Sequence, residues 1–213
     1  MVLSFTIDSQ SSYQRIIGLT GGISTGKTTV SRYLASTYNL PILDADIYAR
    51  EAVQPDSQIL KQIAERYGNT ILLPDGRLDR RRLGEIVFSN SHERQWLEEQ
   101  IHPYVRQCLV TQLAALKVQN YPTVVLVVPL LFEANLTDLV TEIWVVSCSV
   151  SEQLQRLMVR DRLPLAQAEA RINSQMPLTK KVAYADVVLE NSSTLEALLQ
   201  QVDGAYLHPH RRL

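Results

Sequence analysis

Gly21, Gly26, Lys27 and Thr28 stand at the spacing G-x-x-x-x-G-K-[ST] inside the run RIIGLTGGISTGKTT over positions 15–29. This spacing suits one kind of chemistry, the grip on a phosphate chain. Several backbone N–H groups must converge on the phosphates, and Gly21, Gly22 and Gly26 keep side chains out of that approach. Ile23, Ser24, Thr25 and Thr29 complete the cradle. The N-terminus of the helix that follows adds positive potential. Lys27 reaches the outer phosphates as a point charge, and the Thr28 hydroxyl is placed to hold Mg²⁺. A purine triphosphate (ATP) with Mg²⁺ is the expected ligand; a chance match in a glycine-rich turn is the alternative.

The flanking elements agree with the loop. The apolar run 16–20 reads as a strand, and Val30, Tyr33 and Leu34 share one face of a helix reaching position 38. Strand, glycine loop, helix is the order this motif requires. After the break Asn39-Leu-Pro, positions 41–44 read as a short buried strand with Asp44 and Asp46 at its carboxyl end. In open α/β sheets the ligand crevice lies outside those strand ends. One carboxylate can orient or deprotonate an acceptor hydroxyl while the other touches Mg²⁺ or its waters. The plainer alternative is that Asp44 or Asp46 caps the next helix.

Positions 55–116 break the strand–helix alternation with a mostly helical pattern. Ile59, Leu60, Ile63 and Tyr67 share a face, as do Trp96, Leu97 and Ile101. This block is too long for one crossover helix and reads as a substrate lobe. Arg80, Arg81, Arg82 and Arg106 can meet a phosphorylated substrate, although Arg81 and Arg82 individually read as a solvated face. His102 reads as a packed, hydrogen-bonded residue, and His102-Pro103 predicts a kink or a restart of the helix. The division expected is an N-terminal extension over 1–14, a core over 15–54 and 118–213, and an inserted lobe over 55–117. A lid covers about 150–180.

Positions 121–128 form a β-branched run that predicts a central strand buried on both faces. Pro129 follows it where many ATPases place an aspartate, which argues against a motor-type enzyme; Glu133 is the nearest carboxylate, a candidate substrate ligand or turn cap. Positions 142–147 read as the next strand. Ser151 and Glu152 then open a helix with Leu154, Leu157 and Met158 inward and Arg156 and Arg160 on another face. With Arg162 and Arg171 they read as a lid whose guanidiniums stabilise a transferring phosphoryl group, an effect worth about 10³–10⁵ in rate. An exposed amphipathic helix pair is the alternative. Positions 185–190 read as the last strand. Ser193 with Glu196 reads as a capping box, and Leu195, Leu198, Leu199, Val202 and Tyr206 form the core stripe of a closing helix.

The chain has 213 residues and a net charge of −1, so no global field draws in nucleic acid or a membrane surface. Cys108 and Cys148 sit among apolar residues and read as free thiols in a reducing compartment. No signal-like start is visible, and no apolar run approaches the roughly 18 residues needed to span a bilayer. The expected location is cytoplasmic; nothing here speaks to oligomeric state.

Several segments in one order resemble the dephospho-CoA kinase family. They are GLTGGI over 18–23, GKTT over 26–29, Asp44-Ala-Asp46 with Arg50, and Leu78-Asp-Arg80. IHPYVR over 101–106, VPLLFE over 128–133, RLMVRD over 156–161, RINSQ over 171–175 and Ala185-Asp186 follow. The resemblance runs from about position 16 to about position 199. It implies an α/β fold: a P-loop NTPase-type three-layer sandwich with a five-stranded parallel sheet, a helical CoA lobe and a lid. It implies transfer of the ATP γ-phosphate to the 3′-hydroxyl of the ribose in dephospho-CoA. By that analogy Lys27, Asp46 and Arg160 are catalytic, with Asp46 the base or hydroxyl-orienting group. Asp44, Arg50, Arg80, His102, Arg106 and Glu133 lie on the acceptor side, and Arg156 and Arg160 in the lid. The family usually carries Gly-Ser where this chain has Ser24-Thr25. Another small-molecule or nucleoside kinase is the nearest rival reading. A regulatory GTP-binding switch is a more distant one, since no N-K-x-D segment occurs.

Overall fold

All five residues of TVVLV, β3 (Thr123–Val127), are buried, which a strand achieves only with layers on both faces. The computed structural model describes residues 14–208, so the expected extension and the end of the tail lie almost wholly outside the described residues. β3 pairs in parallel with β1 (Arg15–Gly21) and β2 (Ile42–Asp44); β1 also pairs with β4 (Glu142–Ser147), and β4 with β5 (Val187–Glu190). The order is β2-β3-β1-β4-β5, a five-stranded parallel sheet. The chain turns to opposite sides of β1 after β3, so the crevice lies beyond the carboxyl ends of β1 and β3.

One face of the sheet is covered by α1 (Lys27–Tyr38) and α9 (Leu195–Leu207), through Val30, Leu34, Leu198 and Val202. The other face takes Val105, Leu109 and Leu113 of α5 (Ser91–Val118). Leu178 and Val182 of α8 (Leu178–Ala183) pack at the margin of that core. A separate apolar cluster joins α3 (Gln58–Tyr67) and α4 (Arg80–Ser89), built on Leu60, Ile63, Leu83 and Val87, and Trp96, Leu97 and Ile101 of α5 pack against it. One helix therefore serves both the sheet and the helical lobe.

That double duty explains a correction at Pro103. No restart occurs: α5 runs uninterrupted through it. Proline forfeits one helical hydrogen bond, but apolar contacts on both sides hold the two halves in one element. Ser151 and Glu152 lie in the first turn of α6 (Val150–Asp161), whose capping box is Ser149 with Glu152. One cap assignment changes: α9 is capped by Thr194, whose hydroxyl accepts the Ala197 N–H at 3.2 Å, not by Ser193. Adjacent hydroxyl residues are equivalent in capping chemistry; the packing of Leu198 and Val202 sets the helix register and so the choice. A buried Arg15–Glu142 ion pair closes the far end of the sheet. Cys108 and Cys148 are free thiols.

Candidate active site

The loop between β1 and α1 is held from outside by its carbonyl oxygens. Gln153 of α6 donates to the Ile23 carbonyl at 2.9 Å, and Asn191, just past β5, donates to the Thr25 carbonyl at 2.8 Å. The Thr25 hydroxyl donates to the Gly22 carbonyl at 2.9 Å. These bonds fix the shape of the loop. Gly26 has φ +108°, and a Cβ there would run into the Asn191 amide. Ser24 also sits in the left-handed region, φ +59°, and its buried hydroxyl oxygen has no hydrogen-bond partner among the described residues.

A cavity of about 580 Å³ opens over this loop, lined by Lys27, Thr28, Asp46, Pro129, Arg156 and Arg160. The Lys27 ammonium donates to the Gly21 carbonyl at 3.2 Å and the Gly22 carbonyl at 2.6 Å. Burial, then the charge of Lys181, lowers its pKa to about 8, against the opposing pull of Asp46. Arg156 donates to the Asn191 carbonyl at 2.8 Å and pairs with Glu152. Arg160 makes a two-point pair with Asp161, at 2.7 and 3.0 Å, and Arg171 of α7 (Leu165–Asn173) reaches the same carboxylate at 2.9 Å.

Asp44 caps α2 (Ala45–Glu51): its Oδ1 accepts the Asp46 N–H at 2.9 Å. The capping alternative therefore applies to Asp44, and the cap itself aims Asp46. The Asp46 carboxylate keeps contact with solvent, yet loss of hydration and the neighbouring Asp44 raise its pKa, while Lys27, Arg50 and Arg160 hold it down. Asp46 also lines a second groove of about 320 Å³ with Arg50, Arg80, Phe88, Leu97 and Ile101. Burial and the adjacent Arg50 lower the Arg80 pKa. Two neighbouring guanidiniums on a groove wall suit a diphosphate. A third, small pocket of about 70 Å³ joins Asp46 to His102. Burial lowers the His102 pKa, which favours the neutral ring.

Two expected site residues stand differently. Arg106 is tied to Asp138 and to the Asn135 carbonyl and lines none of the cavities that contain Asp46. Glu133 is turned toward the segment after α7: its Oε1 accepts the Met176 N–H at 2.9 Å and pairs with Lys181 at 3.0 Å. Sequence reading gave no site role to Gln153, Asn191, Asp161, Gln175 or Lys181, although Asp161 and Gln175 lie in segments that carry the family resemblance. A further local sign was a polar residue at an inward position, Gln153 four residues before buried Leu157.

A model of the dephospho-CoA kinase family matches residues 15–197. A dephospho-CoA kinase of Trichormus variabilis is 64% identical over 192 residues, covering 90% of this chain and 96% of that one. The Synechocystis dephospho-CoA kinase is 56% identical over 202 residues, covering 95% of this chain and 100% of its own length. Among solved structures, a dephospho-CoA kinase from Campylobacter jejuni superposes with TM-score 0.67 at 26% identity, covering 92% of this chain and 96% of that one. A shikimate kinase from Acinetobacter baumannii, at TM-score 0.52 and 17% identity, shares the fold. The phosphate loop, the aspartate beyond β2 and the arginine-bearing helix α6 thus fall within a match that spans most of the chain: it belongs to the dephospho-CoA kinase family.

Proposed function

We propose that the chain moves the γ-phosphoryl group of ATP to the ribose 3′-hydroxyl of dephospho-CoA, with Asp46 as the group that orients and deprotonates that hydroxyl. One observation carries this assignment of Asp46: its carboxylate lines both the cavity over the phosphate loop and the groove walled by Arg50 and Arg80. A donor in the first and an acceptor in the second meet at that residue.

Asp46 accepts the hydroxyl proton as the acceptor oxygen bonds to the γ-phosphorus and the bond to the bridging oxygen of ADP breaks. The loop N–H groups, Lys27, Arg156 and Arg160 hold the donor and the charge that spreads over the transferring group. Arg50 and Arg80 hold the acceptor's diphosphate, and His102 packs beside it. The Thr28 hydroxyl is exposed in the donor cavity, a hard oxygen donor that fits Mg²⁺. A Mg²⁺ ion held by Thr28 would supply positive charge against the phosphates of the donor. Among the described residues no helix is long and apolar enough to cross a membrane, and the cytoplasm, where ATP is made available, is the compartment this reading requires.

The test is ADP release with and without dephospho-CoA, product mass, and a panel of other hydroxyl acceptors. Release that depends on dephospho-CoA and yields the 3′-phosphorylated product is expected. Release favouring another acceptor, or full turnover in Asp46→Asn, removes the assignment.

A further inference from the structure

Lys181 is wholly buried. Its ammonium donates to the Pro129 carbonyl at 2.8 Å and pairs with Glu133 at 3.0 Å. The Thr20 hydroxyl, at the end of β1, donates to the same Pro129 carbonyl at 3.3 Å. The Glu133 oxygen that meets Lys181 also accepts the Met176 N–H at 2.9 Å. Three parts of the chain therefore converge: the strand that feeds the phosphate loop, the turn after β3, and the segment by which the lid returns to the core. Pro129 and Gln175 both line the donor cavity, and Met176 is the next residue along.

A buried ion pair is a poor way to gain stability, because apolar side chains of similar volume often serve as well or better. What it does well is fix one geometry. Leu178 and Val182 seat α8 beside the sheet, so Lys181 stands on a fixed support. We propose that Lys181 and Glu133 form a buried latch that positions the lid, pinning its C-terminal end at Met176 and so setting where Gln175 and the lid stand over the phosphate loop. Both are positioning residues. The ammonium is also felt inside the site, since its charge is one cause of the lowered Lys27 pKa. The latch gives Glu133 a role distinct from the acceptor contact that family resemblance implies. The inference rests on the kinase reading above.

The test uses the full chain with Lys181→Met, Glu133→Gln and both together, comparing melting temperature, kcat and the KM for each substrate. Lys181→Met is expected to melt lower, because it leaves the Glu133 charge buried and unpaired. The double variant holds no such charge and is expected to recover its melting temperature while kcat stays at least about tenfold low, with the KM for dephospho-CoA within about threefold of normal. Glu133→Gln, whose amide oxygen still accepts from Met176, leaves the wholly buried Lys181 ammonium without its counter-charge; it is expected to melt lower as well and to show the same kcat-weighted loss in its folded fraction, measured at low temperature. Normal kcat in folded Glu133→Gln or in the folded double variant overturns the latch. A raised KM for dephospho-CoA in Glu133→Gln, with kcat unchanged in Lys181→Met, also overturns it and makes Glu133 a substrate ligand. A wild-type chain inactive toward dephospho-CoA strikes the kinase reading instead.

Discussion

Asp44 Oδ1 accepts the backbone N–H of Asp46 at 2.9 Å, so the first carboxylate of the pair holds the second at the mouth of the site. The same proximity raises the Asp46 pKa, after burial, which is the larger cause. In the proposed role Asp46 works as a base only when ionised, so the acid limb of kcat/KM is expected above that of an ordinary aspartate. Asp44→Asn keeps an oxygen for the cap but removes the like charge; its acid limb is expected to move to lower pH. Asp44→Ala also loses the cap, at a cost of about 1 kcal/mol in stability. Asp46→Asn is expected to bind ATP and lose at least about 10²-fold in kcat. A pH–rate profile with ATP titrations of the three variants checks these statements.

Burial, then the charge of Lys181, brings the Lys27 pKa down to about 8. As pH rises through that value the ammonium loses its charge, so the KM for ATP is expected to rise above about pH 8. The sign for stability is opposite. The folded value lies below the ordinary lysine value of 10.5, so between about 8 and 10.5 the unfolded chain holds the proton that the folded chain has released. This group therefore adds stability as pH rises through the window. A rising KM with an undiminished melting temperature, measured in one pH series, separates the two effects; Lys27→Met is expected to abolish the pH dependence of ATP affinity along with most of that affinity.

The Asn191 amide holds the Thr25 carbonyl at 2.8 Å from across the sheet. Asn191→Ala is expected to lower kcat/KM for ATP by about tenfold, with little change in the KM for dephospho-CoA. Gly26→Ala is expected to be worse, because the new Cβ meets the Asn191 amide at a φ of +108°. Steady-state kinetics with each substrate varied in turn reads both.

Arg15 pairs with buried Glu142, donates to the Tyr206 carbonyl at 2.9 Å, and lies over the Trp144 and Tyr206 rings at 5.9 and 5.3 Å from their centroids. Arg15→Met leaves a buried carboxylate without its counter-charge and is expected to cost about 3–5 kcal/mol. The pair lies at the opposite end of the strands from the phosphate loop, so kcat of the folded fraction should hold. Denaturant unfolding and activity at low temperature distinguish that outcome from an effect on catalysis.

Much of the fold was readable locally because local rules write it. The β-branched, apolar run at positions 121–128 pointed to a strand buried on both faces, and the glycine spacing before Lys27 fits the turn between a strand and a helix. Where capping chemistry was degenerate, as between Ser193 and Thr194, local rules could not choose. The uninterrupted passage of α5 through Pro103 was hidden for a related reason: contacts made by the helix on either side outweigh one lost hydrogen bond.

Taken alone, the amino-acid order determined the α/β class, the phosphate-binding loop and the family resemblance, all of which depend on residues close together in the chain. Tertiary structure decided which distant groups meet: Gln153 and Asn191 on the loop carbonyls, Asp46 between two cavities, and Lys181 against Glu133. Such meetings follow from the strand order of the sheet and the packing of helices on it. A single sequence carries no local period or spacing that reports them.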